Sequence, residues 1–252
     1  DNPVEKVTQY YYDNEFHKQQ TRIVSTRNDG NKMEEIIWYP DDVKGVNSIG
    51  NVSLTVNEYN ALELMKSLKD DGITFGSHQI NSPVQVETRL LNKDGQELSK
   101  SIRRTNYKDW SNGIVLPKDV EISKGFEDLD PRIEYMSYDN YGNPTEVKQV
   151  DGTTVSYFWG YNGQYPIVKI ENASYSEIAL ALSTTKEVLK AFTESNLSTI
   201  NSLRSNLPKA QVTTYTYEPL VGVKTITDPR GLIIRYISVS YTHLTLPTNR
   251  EV

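Results

Sequence analysis

Side chains that could act as acid, base, nucleophile or metal ligand are few in this sequence, and their spacing is unhelpful. Histidine occurs only as His17, His78 and His243. A catalytic base needs a partner that orients it and a reacting group within reach. Neither His17 nor His78 has a nucleophile or a second ligand at a meaningful spacing, so both read as surface histidines in polar turns. Carboxylates are plentiful, with Asp and Glu together numbering 33. Pairs such as Asp70 and Asp71, or Asp128 and Asp130, therefore do not single out a glycoside-cleaving dyad, which is defined by separation in space. Asp41-Asp42 is too short for a calcium loop. No phosphate-binding loop, dinucleotide fingerprint or nucleophile elbow occurs. Cysteine is absent, which excludes thiolate chemistry, zinc–thiolate sites and disulfides. The expectation is a chain with no catalytic residue, no metal site and no cofactor.

Recognition chemistry has better material. Tyr157, Phe158, Trp159, Tyr161 and Tyr165 lie close together in a chain with 17 Tyr against 5 Phe and 3 Trp. Rings aligned on a sheet can stack on sugars or on a partner protein, although such stripes more often build a core. Tyr157, Trp159, Tyr161 and Tyr165 are thus a candidate binding surface, with adhesion or carbohydrate binding as the alternative function. Exposure of these rings is what separates the two readings. A polysaccharide hydrolase is the enzymatic rival and requires two carboxylates converging in a cleft. A net charge of -6 and a pI near 5.2 leave no basic stripe for phosphates, so nucleic acid is not an expected partner. The densest basic patch, Lys100 to Arg104, reads as the solvated face of a strand. No apolar run approaches the roughly 20 residues of a membrane span.

The elements that would carry these residues are mainly strands. Val7 to Tyr12, Arg22 to Thr26 and Met33 to Tyr39 are β-rich, with the turn Asn28-Asp29-Gly30-Asn31 between the second and third. Val84, Val86 and Thr88 alternate with polar neighbours, Asn92-Lys93-Asp94-Gly95 turns the chain, and Leu98 to Thr105 runs back. Val115 to Ile122 is a further strand after Gly113. Two stretches have helical spacing. Val56 to Lys69 carries Tyr59, Leu62 and Met65, with Asn57 as cap and Gly72 as stop. Ser174 to Leu207 reads as two or three short helices, opened by a Ser174–Glu177 capping box. Ile178, Leu182, Val188, Leu189 and Phe192 form one apolar stripe there, and Leu197, Ile200, Leu203 and Leu207 a second. This helical insert is expected to cover an edge or face of a sheet.

A repeat emerges when the chain is compared with itself. Tyr138-Asp139-Asn140-Tyr141-Gly142-Asn143-Pro144 leads through Asp151-Gly152 to Tyr157. Tyr217-Glu218-Pro219-Leu220-Val221-Gly222 leads through Asp228-Pro229-Arg230-Gly231 to Tyr236. The second glycine and the closing tyrosine keep one offset from the leading tyrosine in both units, while the first glycine slips by one. A degenerate third copy starts at Tyr12-Asp13-Asn14 and passes through Asp29-Gly30. Each unit reads as a hairpin: the leading Tyr closes a strand, Gly142 or Gly222 permits a tight turn, and the closing Tyr ends the return strand. A lone hairpin cannot bury its apolar face, so units must stack.

These residues resemble the YD or Rhs repeat family, with Tyr138-Asp139 to Gly142 matching the opening of its pattern and Thr227-Asp228-Pro229-Arg230-Gly231 its "TDPxG" turn. Glu218 stands where the family has Asp. The stretch from Tyr138 to Tyr236, with its helical insert, is similar to the segment ahead of the main repeat array in Bacteroidota members. The resemblance implies a mainly β fold, with antiparallel hairpin repeats forming an extended curved sheet or shell segment and a small α-helical insert. It also implies a structural, non-catalytic piece of a large secreted or cell-surface protein. Its partners would be the remaining repeats of the same chain and, in some members, a C-terminal toxin or effector enclosed by the shell. The domain reading is a hairpin-rich region over 1–130 with one short helix, a repeat-like region over 131–237 with the insert 174–207, and a tail over 238–252. That tail reads as non-native, because Val239 to Thr248 back-translates without gaps into a transposon-end sequencing adapter. A parent nucleotide sequence with other codons there would overturn this expectation.

Overall fold

The computed structural model describes residues 6–47, 49, 53–67, 77–111, 113–125 and 127–237. The expected tail over 238–252 lies outside them, as do His243, Asp70, Asp71 and the helix stop at Gly72. Within them the chain forms thirteen strands and five short α-helices, so the fold is mainly β and antiparallel. It divides into two compact units, residues 1–154 and 155–252. That division falls inside the first repeat, between Gly152 and Tyr157.

The first unit holds β1 (Val7–Tyr11), β2 (Arg22–Thr26), β3 (Lys32–Trp38), a 3₁₀ turn at Pro40–Asp42 and α1 (Val56–Lys66). It continues with β4 (Gln85–Leu91), β5 (Glu97–Asp109), β6 (Val115–Lys124), β7 (Asp130–Tyr138) and β8 (Pro144–Gln149). Each strand from β1 to β8 pairs antiparallel with its sequence neighbour. One turn geometry makes this possible at 27–31, 92–96 and 139–143. The first residue's N–H donates to the fifth residue's carbonyl, and a glycine at the fourth position takes a positive φ of 80–85°. An Asx side chain locks each of them. Asn92 and Asp139 use Oδ1 to accept from the third and fifth N–H groups, whereas Asp29 accepts from the fifth alone.

Helix α1 is capped by Thr55 rather than Asn57. The Thr55 hydroxyl accepts from the Glu58 N–H at 3.3 Å, and the Glu58 carboxylate accepts from the Thr55 N–H at 2.9 Å, a reciprocal capping box. The helix buries Ala61, Leu62 and Met65 against Val43, Ile49, Leu54, Val84, Tyr107 and Val115. Each such Leu or Met contributes roughly 1.5–3 kcal/mol relative to exposure.

The second unit holds β9 (Thr154–Gly160), β10 (Tyr165–Glu171), β11 (Gln211–Glu218), β12 (Gly222–Thr227) and β13 (Ile233–Arg235), again paired in sequence order. Between β10 and β11 lie α2 (Tyr175–Ala181), α3 (Lys186–Lys190), α4 (Leu197–Asn201) and α5 (Leu203–Asn206). Helices this short are unstable alone; a sheet face holds them. Ile178, Leu189, Ile200 and Leu203 bury completely against Phe158, Val168, Ile170 and Val212, so the insert covers a face. Val188 instead stays exposed. The Ser174–Glu177 capping box forms as read. Arg204 ties α5 down by donating to the carbonyls of Val212, Thr227 and Asp228.

Candidate functional site

The repeat tyrosines occupy matching settings in the two units. Tyr138 ends β7 and donates its hydroxyl to the Pro117 carbonyl on the preceding strand β6 at 2.8 Å. Tyr217 sits near the end of β11 and donates to the Pro166 carbonyl on the preceding strand β10 at 2.9 Å. Each proline lies at a register shift with the strand before it, and each tyrosine lies at a register shift with the strand after it. One position earlier, the Ser137 and Thr145 hydroxyls meet across the hairpin at 2.7 Å, and those of Thr216 and Thr225 at 2.6 Å. The edge-on ring contacts match as well, whereas the stacked partner comes from the tyrosine's own strand β7 in the first case and from the preceding strand β10 in the second. Tyr138 stacks on Tyr135 and meets Trp110 edge-on, while Tyr217 stacks on Tyr165 and meets Tyr161 edge-on. Trp110 and Tyr161 each follow the last residue of a strand, β5 and β9 respectively. The repeat therefore reaches one hairpin further back than its sequence motif. Burial pushes the hydroxyl pKa of both Tyr138 and Tyr217 above the usual tyrosine value, keeping both protonated as donors.

The second half of each repeat follows the sequence reading in part. The turns at 149–153 and 228–232 close like the three already described, around Gly152 and Gly231 at φ 86° and 83°. Asp151 accepts from the Thr153 N–H, and Asp228 accepts from the Arg230 and Leu232 N–H groups. Pro229 takes the position whose φ its ring presets. Two details differ. Gly222 shares the tight turn after Tyr217 with Leu220, the two taking φ of 139° and 67°. Tyr157 does not end its strand, because β9 runs on to Gly160. Tyr236 lies just past β13 and is half exposed.

The proposed aromatic surface is mostly engaged within its own unit. Tyr157, Trp159, Tyr161 and Tyr165 are all partly buried, and Phe158 is buried under the insert against Tyr175 and Phe192. Tyr161 takes a positive φ of 52° in the β9–β10 turn, where its N–H donates to Glu194. Its hydroxyl donates to the Tyr217 carbonyl at 3.2 Å and accepts from the Tyr217 N–H at 3.0 Å. Those are backbone groups that the β-bulge at Thr216–Tyr217 leaves unpaired. Tyr161, Tyr165 and Tyr217 are thus one packed cluster. Tyr157 contributes its carbonyl to the Tyr175 hydroxyl.

His17 is not a surface residue. Its side chain is 0% exposed, its Nδ1 accepts from the Gln19 N–H at 3.0 Å, and its Nε2 lies 3.1 Å from Asp42. That pattern requires the proton on Nε2, donating to the carboxylate. Asp42 also accepts from Asn14 and from the Tyr39 N–H. Both ring nitrogens are occupied, so the pair fastens the β1–β2 loop. His78 is exposed, with a φ of 46°. Asp128 and Asp130 are exposed, and Asp130 pairs with Arg132 at 3.2 Å.

The basic patch at Lys100 to Arg104 departs most from its reading as a solvated face. Arg103 is exposed, but Arg104 is 2% exposed and lines an open cavity of about 740 Å³ beside α1. Its Nε and Nη2 both donate to Gln85 Oε1, at 3.0 and 2.8 Å. Among the described residues it makes no ion pair. Burial lowers its pKa, with Glu121 and Glu58 acting against that shift. Two residues along, Asn106 donates to Asp119 at 2.6 Å and to Glu121 at 3.0 Å, while its own Oδ1 has no partner among the described residues. Lys118 bridges Glu58 and Asp119, each at 3.1 Å. Burial raises the Glu58 pKa, but hydrogen bonds from Thr55 and the Lys118 ammonium outweigh it and hold the carboxyl below its ordinary value. Sequence reading missed this group, although Ile102, Arg104 and Asn106 alternate in one phase with a residue that had to be buried.

No family model matches the chain, and no curated protein matches it. Among solved structures it is similar to the crystal structure of TcdB2-TccC3-Cdc42, with 10% identity and a TM-score of 0.35 over 88% of this chain and 9% of that one. The crystal structure of TcdB2-TccC3 gives 11% identity and a TM-score of 0.35 over the same shares. A Photorhabdus luminescens Tc holotoxin pore structure gives the same values, 11% and 0.35. The chain spans 9% of the length of these matched chains.

Proposed function

We propose that this chain is a non-catalytic wall segment of a larger YD/Rhs-type repeat protein, secreted or displayed at a cell surface, whose hairpin modules stack into a β-shell. The observation that carries the reading is the doubled clamp: Tyr138 on Pro117 and Tyr217 on Pro166, each with its hydroxyl pair and its two aromatic neighbours. A clamp rebuilt twice in one chain is a module, and modules of this kind gain stability from their neighbours. The last hairpin supports the same view. Val221, Val223, Leu232, Ile233, Ile234 and Ile237 are all substantially exposed there, and β13 pairs only with β12 among the described residues. An apolar edge of this sort needs cover. The partners are then further repeats of the same polypeptide and an effector held within the shell. The adhesion reading is weaker, because Tyr161 and Tyr165 spend their surface on Tyr217.

The test is amide exchange of the β12–β13 hairpin, measured in this chain and in a parent polypeptide that carries further repeats after it. Fast exchange here and protection of at least tenfold in the parent is the expected outcome. Equal exchange in the two would refute stacking on a following module.

A further inference from the structure

The cavity beside α1 plays no part in the repeat clamp, yet its lining is chemically unusual. A guanidinium that is 2% exposed normally hydrogen-bonds a carboxylate, because a buried charge without one is poorly compensated; here Glu121 and Glu58 act on it only without such a bond. Arg104 faces the neutral Gln85 instead, and its Nη1 has no hydrogen-bond partner among the described residues. Asn106 is 6% exposed, and its Oδ1 is likewise without one. The Asn106 oxygen is itself buried, so what the cavity offers is one spare donor, Arg104 Nη1, beside the Glu121 carboxylate.

The walls settle which ligand chemistry fits. Glu121 and Asp119 accept there, Lys118 donates, and Glu58 is neutralised by Lys118. An anion would face these carboxylates, and a cation would face Arg104. A hydroxyl meets neither objection, because it accepts from a guanidinium and donates to an amide or carboxylate oxygen at once. The cavity, at about 740 Å³, lies within the size range of small-molecule sites. The geometry points to this cavity as a binding site for a hydroxyl-rich ligand, a short saccharide, whose hydroxyls accept from Arg104 and donate to Glu121. This site lies in the first unit and is independent of the aromatic residues 157–165.

The experiment is an NMR titration of the ¹⁵N-labelled 252-residue chain with cellobiose and with maltose, with glycine and sulfate as the zwitterionic and anionic alternatives. Saturable shifts of the Arg104 Nε–H signal and of neighbouring β5 and β6 amides are expected with at least one saccharide. Glu121→Gln keeps the side chain's shape and removes one charged acceptor, so the affinity falls about tenfold, the equivalent of about 1.4 kcal/mol. Arg104→Met abolishes the response where it folds; Glu121→Gln carries the test where it does not. The proposal is overturned if neither saccharide gives a saturable shift, if Glu121→Gln leaves the affinity unchanged, or if glycine or sulfate alone moves these signals.

Discussion

Replacing Tyr161 by Phe removes one oxygen and keeps both the ring and the turn. The Tyr161 hydroxyl closes two backbone bonds at once, accepting from the Tyr217 N–H at 3.0 Å and donating to the Tyr217 carbonyl at 3.2 Å. Those groups sit where the β11–β12 register slips, so no strand partner replaces them. A neutral hydrogen bond is worth about 1 kcal/mol net, and an unsatisfied buried group costs about 1–3 kcal/mol. The cluster is half-buried, and water recovers part of the loss. Tyr161→Phe should therefore destabilise the second unit by about 1–2 kcal/mol. Tyr165→Phe is the control: its ring stacks on Tyr217 at 4.7 Å, but its hydroxyl makes no hydrogen bond among the described residues. That change should cost under about 0.5 kcal/mol. Urea unfolding followed by tyrosine fluorescence gives the difference, and exchange of the Tyr217 amide locates it. Equal midpoints for the two variants, or an unchanged Tyr217 amide, would refute the packing role and return these rings to the candidate binding surface.

Other outcomes follow from the same geometry. Tyr138→Phe and Tyr217→Phe each lose one bond to a proline carbonyl, so each should cost about 1 kcal/mol in denaturant unfolding; a cost in only one would break the equivalence of the modules. Leu220 holds a φ of 67° with its side chain fully exposed, so Leu220→Gly relieves about 1–2 kcal/mol of left-handed strain and returns part of it as chain entropy. The net gain of about 0.5–1 kcal/mol should raise the urea midpoint without changing the slope. Glu58 has a pKa below its ordinary value in the folded state. Its contribution is therefore complete above the unfolded carboxylate range and is lost as pH falls through the folded value. The stability difference between the wild type and Glu58→Gln should shrink on acidification below about pH 4.5; a constant difference would show that the charge is not what matters.

The turns were legible because their chemistry is local. An Asx side chain reaches N–H groups two and four residues on, and a glycine at the fourth place takes the left-handed φ, so five residues suffice to specify the geometry. Ser174–Glu177 was readable for the same reason. Thr55–Glu58 has the identical three-residue spacing, with Asn57 a competing cap candidate two residues on. The clamp was half legible: Tyr138 and Tyr217 stand out as a registered pair, but Pro117, Trp110, Pro166 and Tyr161 lie 21 to 56 residues from them and share no motif. Their role depends on where strand register slips, which is a property of pairs of strands.

The cavity beside α1 shows the opposite limit. Residue polarity on a strand normally reports its exposure, since a charge taken from water without compensation is costly. On that rule Arg104, Asn106 and Asp119 belong at the surface, and Ile102 is the odd residue in their row. The structure inverts this: Arg104, Asn106 and Asp119 are all under 9% exposed, and their neighbours supply most of the compensation. Partial compensation is the informative part. A purely structural network gains by closing every bond, since a half-satisfied one is worse than an apolar core. Here Glu58, Lys118 and Asp119 are closed, whereas Arg104 Nη1 and the buried Asn106 Oδ1 are unmatched among the described residues, and Arg104 lines the cavity. Packing demands alone favour a methionine or leucine in place of Arg104. Retaining the guanidinium over a cavity is more readily explained by something that enters it, and Glu121→Gln separates the two accounts. Lost stability with no change in saccharide response would mark a structural network, and lost response with stability intact a site.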